Sequence, residues 1–181
     1  MKKLNFLKLV TLVLAVVSIP FGLKAQDNKE MEKLLSECKK TKAEFVKTDP
    51  SMSGLFASSL GYVIFPKNGK GGIIIGGSGG NGVVYERGKS IGTAKMAQVT
   101  VGAQVGGESY SEIIFFEDKD ALNRFKENKV EFSSQISAVA LKSGVSKNAK
   151  YSDGVTVFTQ SLTGLMAEAT IGGQKFTYKA L

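Results

Sequence analysis

The chain has 181 residues, 24 basic side chains against 16 acidic ones and a formal net charge of +8, with no histidine, no tryptophan and one cysteine. Without histidine it cannot build Ser-His-Asp or Cys-His catalysis, a histidine-held zinc or iron site, or an imidazole base near neutral pH. A single cysteine cannot close an intramolecular disulfide, so the fold must stand on packing alone.

Lys2, Lys3 and Lys8 open the chain, Leu9 to Ile19 is an almost unbroken apolar run, Pro20 and Gly22 interrupt it, and Leu23-Lys24-Ala25 precedes Gln26. This is the order of a secretory signal peptide. The apolar run is shorter than the ~20 residues that a spanning helix needs. The expected mature chain therefore begins at Gln26. Residues 1–25 hold four lysines and no carboxylate, so the remainder has twenty basic against sixteen acidic residues, a net +4. That charge suits weak attraction to an anionic surface but not a dedicated nucleic-acid binder.

From Asn28 to Thr48, Met31, Leu34, Leu35, Cys38, Phe45 and Val46 recur at helical spacing, with Lys42 set into the stripe and charged residues on the other side. Asp49-Pro50 ends this amphipathic helix. Its apolar stripe is either docked to a core or inserted into a membrane surface. Ser51 to Leu60 reads as a short helical turn, and Tyr62 to Phe65 as a buried strand closed by Pro66. Further strands are expected at Ile73 to Ile75, Val83 to Tyr85, Ala97 to Val105, Glu112 to Phe116, Phe132 to Leu141, Val155 to Thr159, Leu165 to Ile171 and Phe176 to Tyr178. Short Gly, Asn, Asp and Ser clusters separate them, as in an antiparallel meander. Asp118 can cap one further helix, to Asn128, with Ala121, Leu122 and Phe125 on one face. Gly172-Gly173 suits a tight hairpin.

Gly77-Ser78-Gly79-Gly80-Asn81-Gly82 matches the dinucleotide-binding G-x-G-x-x-G, but a strand, Val83-Val84-Tyr85, follows where a helix N-terminus should hold the pyrophosphate. A glycine-rich hairpin loop is the expectation there. Ser36-Glu37-Cys38-Lys39 spells S-x-x-K without its partner motifs. The Glu117, Asp118 and Asp120 carboxylates sit where a helix start favours acidic residues, and they lack a calcium-loop pattern.

Several stretches, in order over residues 30–179, resemble the SYLF domain, a lipid-binding family found alone in exported bacterial proteins and beside SH3 or FYVE modules in eukaryotes. They are Tyr62 to Pro66, Gly71 to Gly82, Val101 to Gly107, Ile113 to Phe116, Asp120 to Phe125, Gly164 to Ala167 and Gly173 to Phe176. The resemblance implies a β-rich domain with helices, phospholipid binding and no catalytic residues. Eukaryotic members bind phosphoinositides, and some bind and bundle actin filaments. The chain departs from the family pattern at Ser90-Ile91-Gly92-Thr93, where many members carry an aromatic residue.

The expectation is thus one α+β domain over residues 26–181, built on a strongly curved antiparallel sheet or small barrel with an N-terminal amphipathic helix and one further helix. Its expected role is that of a non-catalytic, periplasmic or secreted phospholipid-binding protein of the cell envelope. Lys39, Lys40, Lys47, Lys67 and Lys70, together with the amphipathic helix, would meet an anionic phospholipid membrane surface, with no metal, no cofactor and no nucleic acid involved. The alternative is a structural or adaptor protein that binds another envelope protein through glycine-rich loops and sheet edges.

Overall fold

The computed structural model describes residues 20–71, 75–101, 108–129, 138–162 and 173–181. The chain divides into two units, Met1–Leu35 and Ser36–Leu181. In the first unit, the described residues are helical from Pro20, the start of α1 (Pro20–Thr48). Proline is at ease in a first helical turn, where its missing N–H has no intrahelical partner to lose. The helix runs through the Ala25-Gln26 junction expected for cleavage. No described helix is long and apolar enough to cross a membrane.

The second unit carries the rest of α1, then α2 (Met52–Ser58), β1 (Gly61–Gly71), β2 (Ile75–Glu86), β3 (Lys89–Val101), β4 (Glu108–Phe116), α3 (Lys119–Lys126), β5 (Ala138–Ala140), a 3-10 turn (Val145–Asn148), β6 (Val155–Ser161) and β7 (Gln174–Ala180). The seven strands form one sheet in the order β5-β6-β4-β1-β2-β3-β7. Only the first three make the expected meander; β4 returns to the far side of β1, and β5 pairs parallel to β6, so the sheet is mixed. It is α+β and curled without closing. The expected strands at Phe132 to Ser137 and Leu165 to Ile171 lie outside the described residues.

The sheet's inner face explains the alternation. Val63, paired with both Val84 and Ile114, points inward, as do Phe65, Phe116, Val157 and Phe176. The Phe65 and Phe176 rings lie 5.8 Å apart although β2 and β3 separate their strands. The sheet must therefore curl toward this face. Helix α3 closes one end of it, with Phe125 ring-to-ring with Phe116 at 5.0 Å and Phe176 at 5.2 Å. Asp118 caps α3 as its sequence position suggests, accepting 2.8 Å from the Ala121 N–H.

Two strand readings need correction. Pro66 does not close β1. Between Phe65 and Asn68 the register against β4 gains one residue, and the same extra residue appears against β2. Pro66 and Lys67 thus sit in a β-bulge, where a residue without an N–H is tolerated and the strand can continue. The Ser111 hydroxyl holds the bulge by donating to the Pro66 carbonyl at 2.8 Å. Nor is Gly77 to Gly82 a hairpin loop: it lies within β2, paired residue for residue with β3 from Val99 to Ala94. The turn comes later, at Arg87-Gly88, both with positive φ (48° and 78°), the geometry of a tight hairpin. Ser90 to Thr93 is likewise part of β3.

Candidate functional site

The outer face of the sheet carries Tyr62, Ile64, Val83, Ile113, Phe115 and Phe158, all buried. The Ser36–Thr48 part of α1 and the whole of α2 cover it. Cys38 and Phe45 are fully buried, and the Cys38 thiol donates to the Ile64 carbonyl at 3.4 Å. Burial pushes that thiol up to about 12, with the nearby Glu37 carboxylate adding to the rise. Phe56 of α2 meets Tyr62 and Phe115 edge-on, at 5.0 and 4.9 Å. Lys42, which interrupts the apolar stripe, is half-buried, with its ammonium 4.3 Å from the Phe56 centroid and donating to the Tyr62 hydroxyl at 3.2 Å. The charge faces aromatic rings rather than bare hydrocarbon, so it is tolerated in the packed face.

Just past this helix, Asp49 is buried and acts as a clamp. Its Oδ1 accepts from the Ser51 N–H at 3.1 Å and from the Ser51 hydroxyl; its Oδ2 accepts from the Ser146 N–H at 2.8 Å. The Ser51 and Ser146 hydroxyls share a 2.7 Å bond. Burial alone would raise this carboxyl, but the Ser51 and Ser146 donors outweigh it and hold the group below the usual carboxylate range. The helix end is thereby tied to the 3-10 turn some hundred residues later.

Docking sorts the lysines expected to carry binding. Lys39, Lys40 and Lys47 are exposed on α1, and Lys67 is exposed at the β1 bulge. Lys39 and Lys67 lie one and three residues from the two ends of the Cys38–Ile64 contact. Lys47 is eight residues further along the helix, about 12 Å away at the helical rise. Lys70 lies in β1, opposite Ser78 and Glu108. Lys39, Lys40, Lys47 and Lys67 are therefore spread along the helix and the strand, and are not gathered at one point.

The inner face has a polar end that sequence reasoning missed. Glu112, fully buried, stands opposite Thr159 on β6 and accepts from the Gln174 amide of β7 at 2.9 Å. Two residues along, Asn68 is fully buried, with neither amide atom hydrogen-bonded among the described residues. The strand alternation puts all four on the side of the sheet that also carries Phe65 and Val157, so a register count could have exposed the row once the β1 bulge was known. Among the described residues, no three of His, Cys, Asp or Glu group as a metal site.

The curled mixed sheet thus carries a helix on its outer face, with Lys39, Lys40 and Lys47 of that helix exposed. Residues 97–180 match the family model Ysc84, described as a Las17-binding protein actin regulator. Beta cell expansion factor A of Aeromonas veronii is 31% identical over 128 residues, which is 70% of this chain and 49% of that protein. The chain spans about half the length of this curated relative. The resemblance to the Ysc84, or SYLF, family thus has a matching family model over residues 97–180.

Proposed function

We propose that this is a non-catalytic phospholipid-binding protein of the cell envelope, exported by cleavage after Ala25 and held at an anionic membrane surface by its exposed lysines. The observation that carries the reading is the docking of α1. With Cys38 and Phe45 packed on the sheet, the helix turns Lys39, Lys40 and Lys47 to solvent instead of offering its apolar stripe for insertion. Family membership supports lipid binding as the general activity. Each lysine near an anionic surface contributes roughly 1 kcal/mol, an attraction that fades within about 8 Å at physiological salt. Binding by such a surface is weak and salt-sensitive.

Vesicle co-sedimentation tests this. Charge reversal of Lys39, Lys40 and Lys47 to Glu should weaken attachment to vesicles containing phosphatidylglycerol and flatten its salt dependence, with thermal stability nearly unchanged. Equal attachment to neutral and anionic vesicles, insensitive to these substitutions, would refute the electrostatic mechanism. Mass spectrometry of the exported protein should find Gln26 first, and a mass that retains residues 1–25 would sink the export argument.

The second reading is an adaptor for another protein. It is favoured by the description of the matching family model, which names a protein partner, Las17. Capture of a specific envelope protein with no vesicle attachment would put that reading ahead.

A further inference from the structure

The helices cover only part of the outer face. Beyond Val83, the same face continues onto β3 and β7, because Val83 pairs with Thr93, Asn81 with Lys95, Thr93 with Lys179, Lys95 with Thr177, and Ala97 with Lys175. Directly paired residues share a side of the sheet, so Lys95, Lys175 and Lys179 all point outward here. All three are exposed, and the side chains at the positions between them, Asn81, Thr93, Ala97 and Thr177, are small or neutral. None of the three lysines has a carboxylate partner among the ion pairs of the described residues, and no acidic residue occupies a register position on this patch. Lys175 and Lys179 are four residues apart on one strand, so the patch spans ~13 Å, roughly one and a half Debye lengths at physiological salt.

We infer that the outer face of β3 and β7 is a second membrane-docking surface, a lysine triad that takes the phosphate headgroups of an anionic bilayer. The inference rests on the lipid-binding reading above and adds a surface that the α1 lysines do not include. Charge complementarity favours a bilayer over a protein partner. Protein interfaces are built around buried aromatic, methionine or arginine side chains and are depleted in lysine. This patch has lysine, no arginine and no exposed aromatic ring among its described positions. Among its described positions it offers no exposed apolar ring to insert.

The test is the triple substitution of Lys95, Lys175 and Lys179 to Gln in the whole protein, with vesicles of phosphatidylcholine alone or with phosphatidylglycerol. One lysine at an anionic surface is worth about a fivefold factor in partitioning, so removal of three should lower attachment to the anionic vesicles roughly 100-fold at low salt. The corresponding triple Arg variant should keep attachment, since it keeps the charge, and both variants should melt as the parent does. If the parent attaches to anionic vesicles and the Gln variant attaches equally well, this face is not used and the lipid-binding reading survives. If the parent attaches to no anionic vesicle, both fall. Retention on immobilised polyglutamate, lost in the Gln variant, without vesicle attachment would assign the face to an acidic protein and overturn the membrane assignment.

Discussion

Phe45→Ala separates a docked helix from an inserting one. The ring is fully buried, seven residues from the buried Cys38 on one side and seven from the buried Met52 on the other, between the buried Thr41 and Asp49. Removing a buried phenylalanine costs the transfer energy of the ring plus the cavity it leaves, about 3–5 kcal/mol. For a domain of this size each kcal/mol lowers the melting temperature by roughly 2–4 °C, so a fall of about 6–20 °C is expected. Thermal melts followed by circular dichroism read this directly, and vesicle attachment below the transition should be unchanged, because the lysines remain in place. An unaltered melting temperature with weakened vesicle attachment would show that Phe45 works in the membrane and that the helix leaves the sheet. It would refute the docking argument and with it the lysine-led mechanism.

Asp49→Asn removes the charge that Ser51 and Ser146 stabilise. The folded carboxyl is held below its unfolded value near 3.8, so its contribution is present above that pH and is lost as pH falls through the folded value. Urea titrations should show the variant less stable at pH 7 and the gap narrowing below about pH 4; a gap independent of pH would remove the charge from the account. The Cys38 thiol, buried and raised to about 12, should resist a disulfide reagent in the native protein at pH 8 and react fully in denaturant. Rapid native reaction would contradict its burial. Gly82→Ala places a Cβ 2.6 Å from the Ile64 carbonyl oxygen and should cost about 1–3 kcal/mol by chemical denaturation. Gly69→Ala, with nothing within 4 Å, is the control; equal losses at the two positions would refute the steric argument.

Local patterning made most elements legible. The amphipathic stripe ends at Thr48 as Asp49-Pro50 suggests, Asp118 caps its helix, and the apolar-rich stretches Glu112 to Phe116 and Val155 to Thr159 mark β4 and β6. What failed was register and long-range order. Pro66 and the glycine run read as breaks because their local chemistry disfavours strands, whereas pairing with neighbours on both sides overrides that preference. Strand order could not be read because β1 pairs with β4 through a long-range backbone ladder rather than through a turn. For the site, the α1 lysines were visible as the polar side of a helix. Lys42 was read as a flaw in the stripe, since its aromatic partners Phe56 and Tyr62 come from two other elements. Lys175, Thr177 and Lys179 do alternate with Phe176 and Tyr178 in the sequence, but their neighbour Lys95 is known only from the β3–β7 register.

The two sides of the sheet make opposite demands on side-chain size, and the glycines follow that division. On the inner side the curl crowds atoms together: a Cβ at Gly82 would strike the Phe65 ring at 2.7 Å, and one at Gly92 would strike the Tyr178 ring. Glycine there lets large aromatic side chains from neighbouring strands fill the concavity, which is how a sheet of this length bends without closing. Gly80 and Gly82 thus owe their letters to curvature. The likeness of the Gly77 to Gly82 run to a phosphate-binding loop is coincidental, for no helix N-terminus follows to supply the donors. On the outer side the same curl spreads side chains apart, so that lysines can stand a strand apart with less mutual repulsion and remain solvated. Where the helices cover the outer face, Tyr62, Phe115 and Phe158 fill the contact; where they leave it bare, on β3 and β7, it displays Lys95, Lys175 and Lys179.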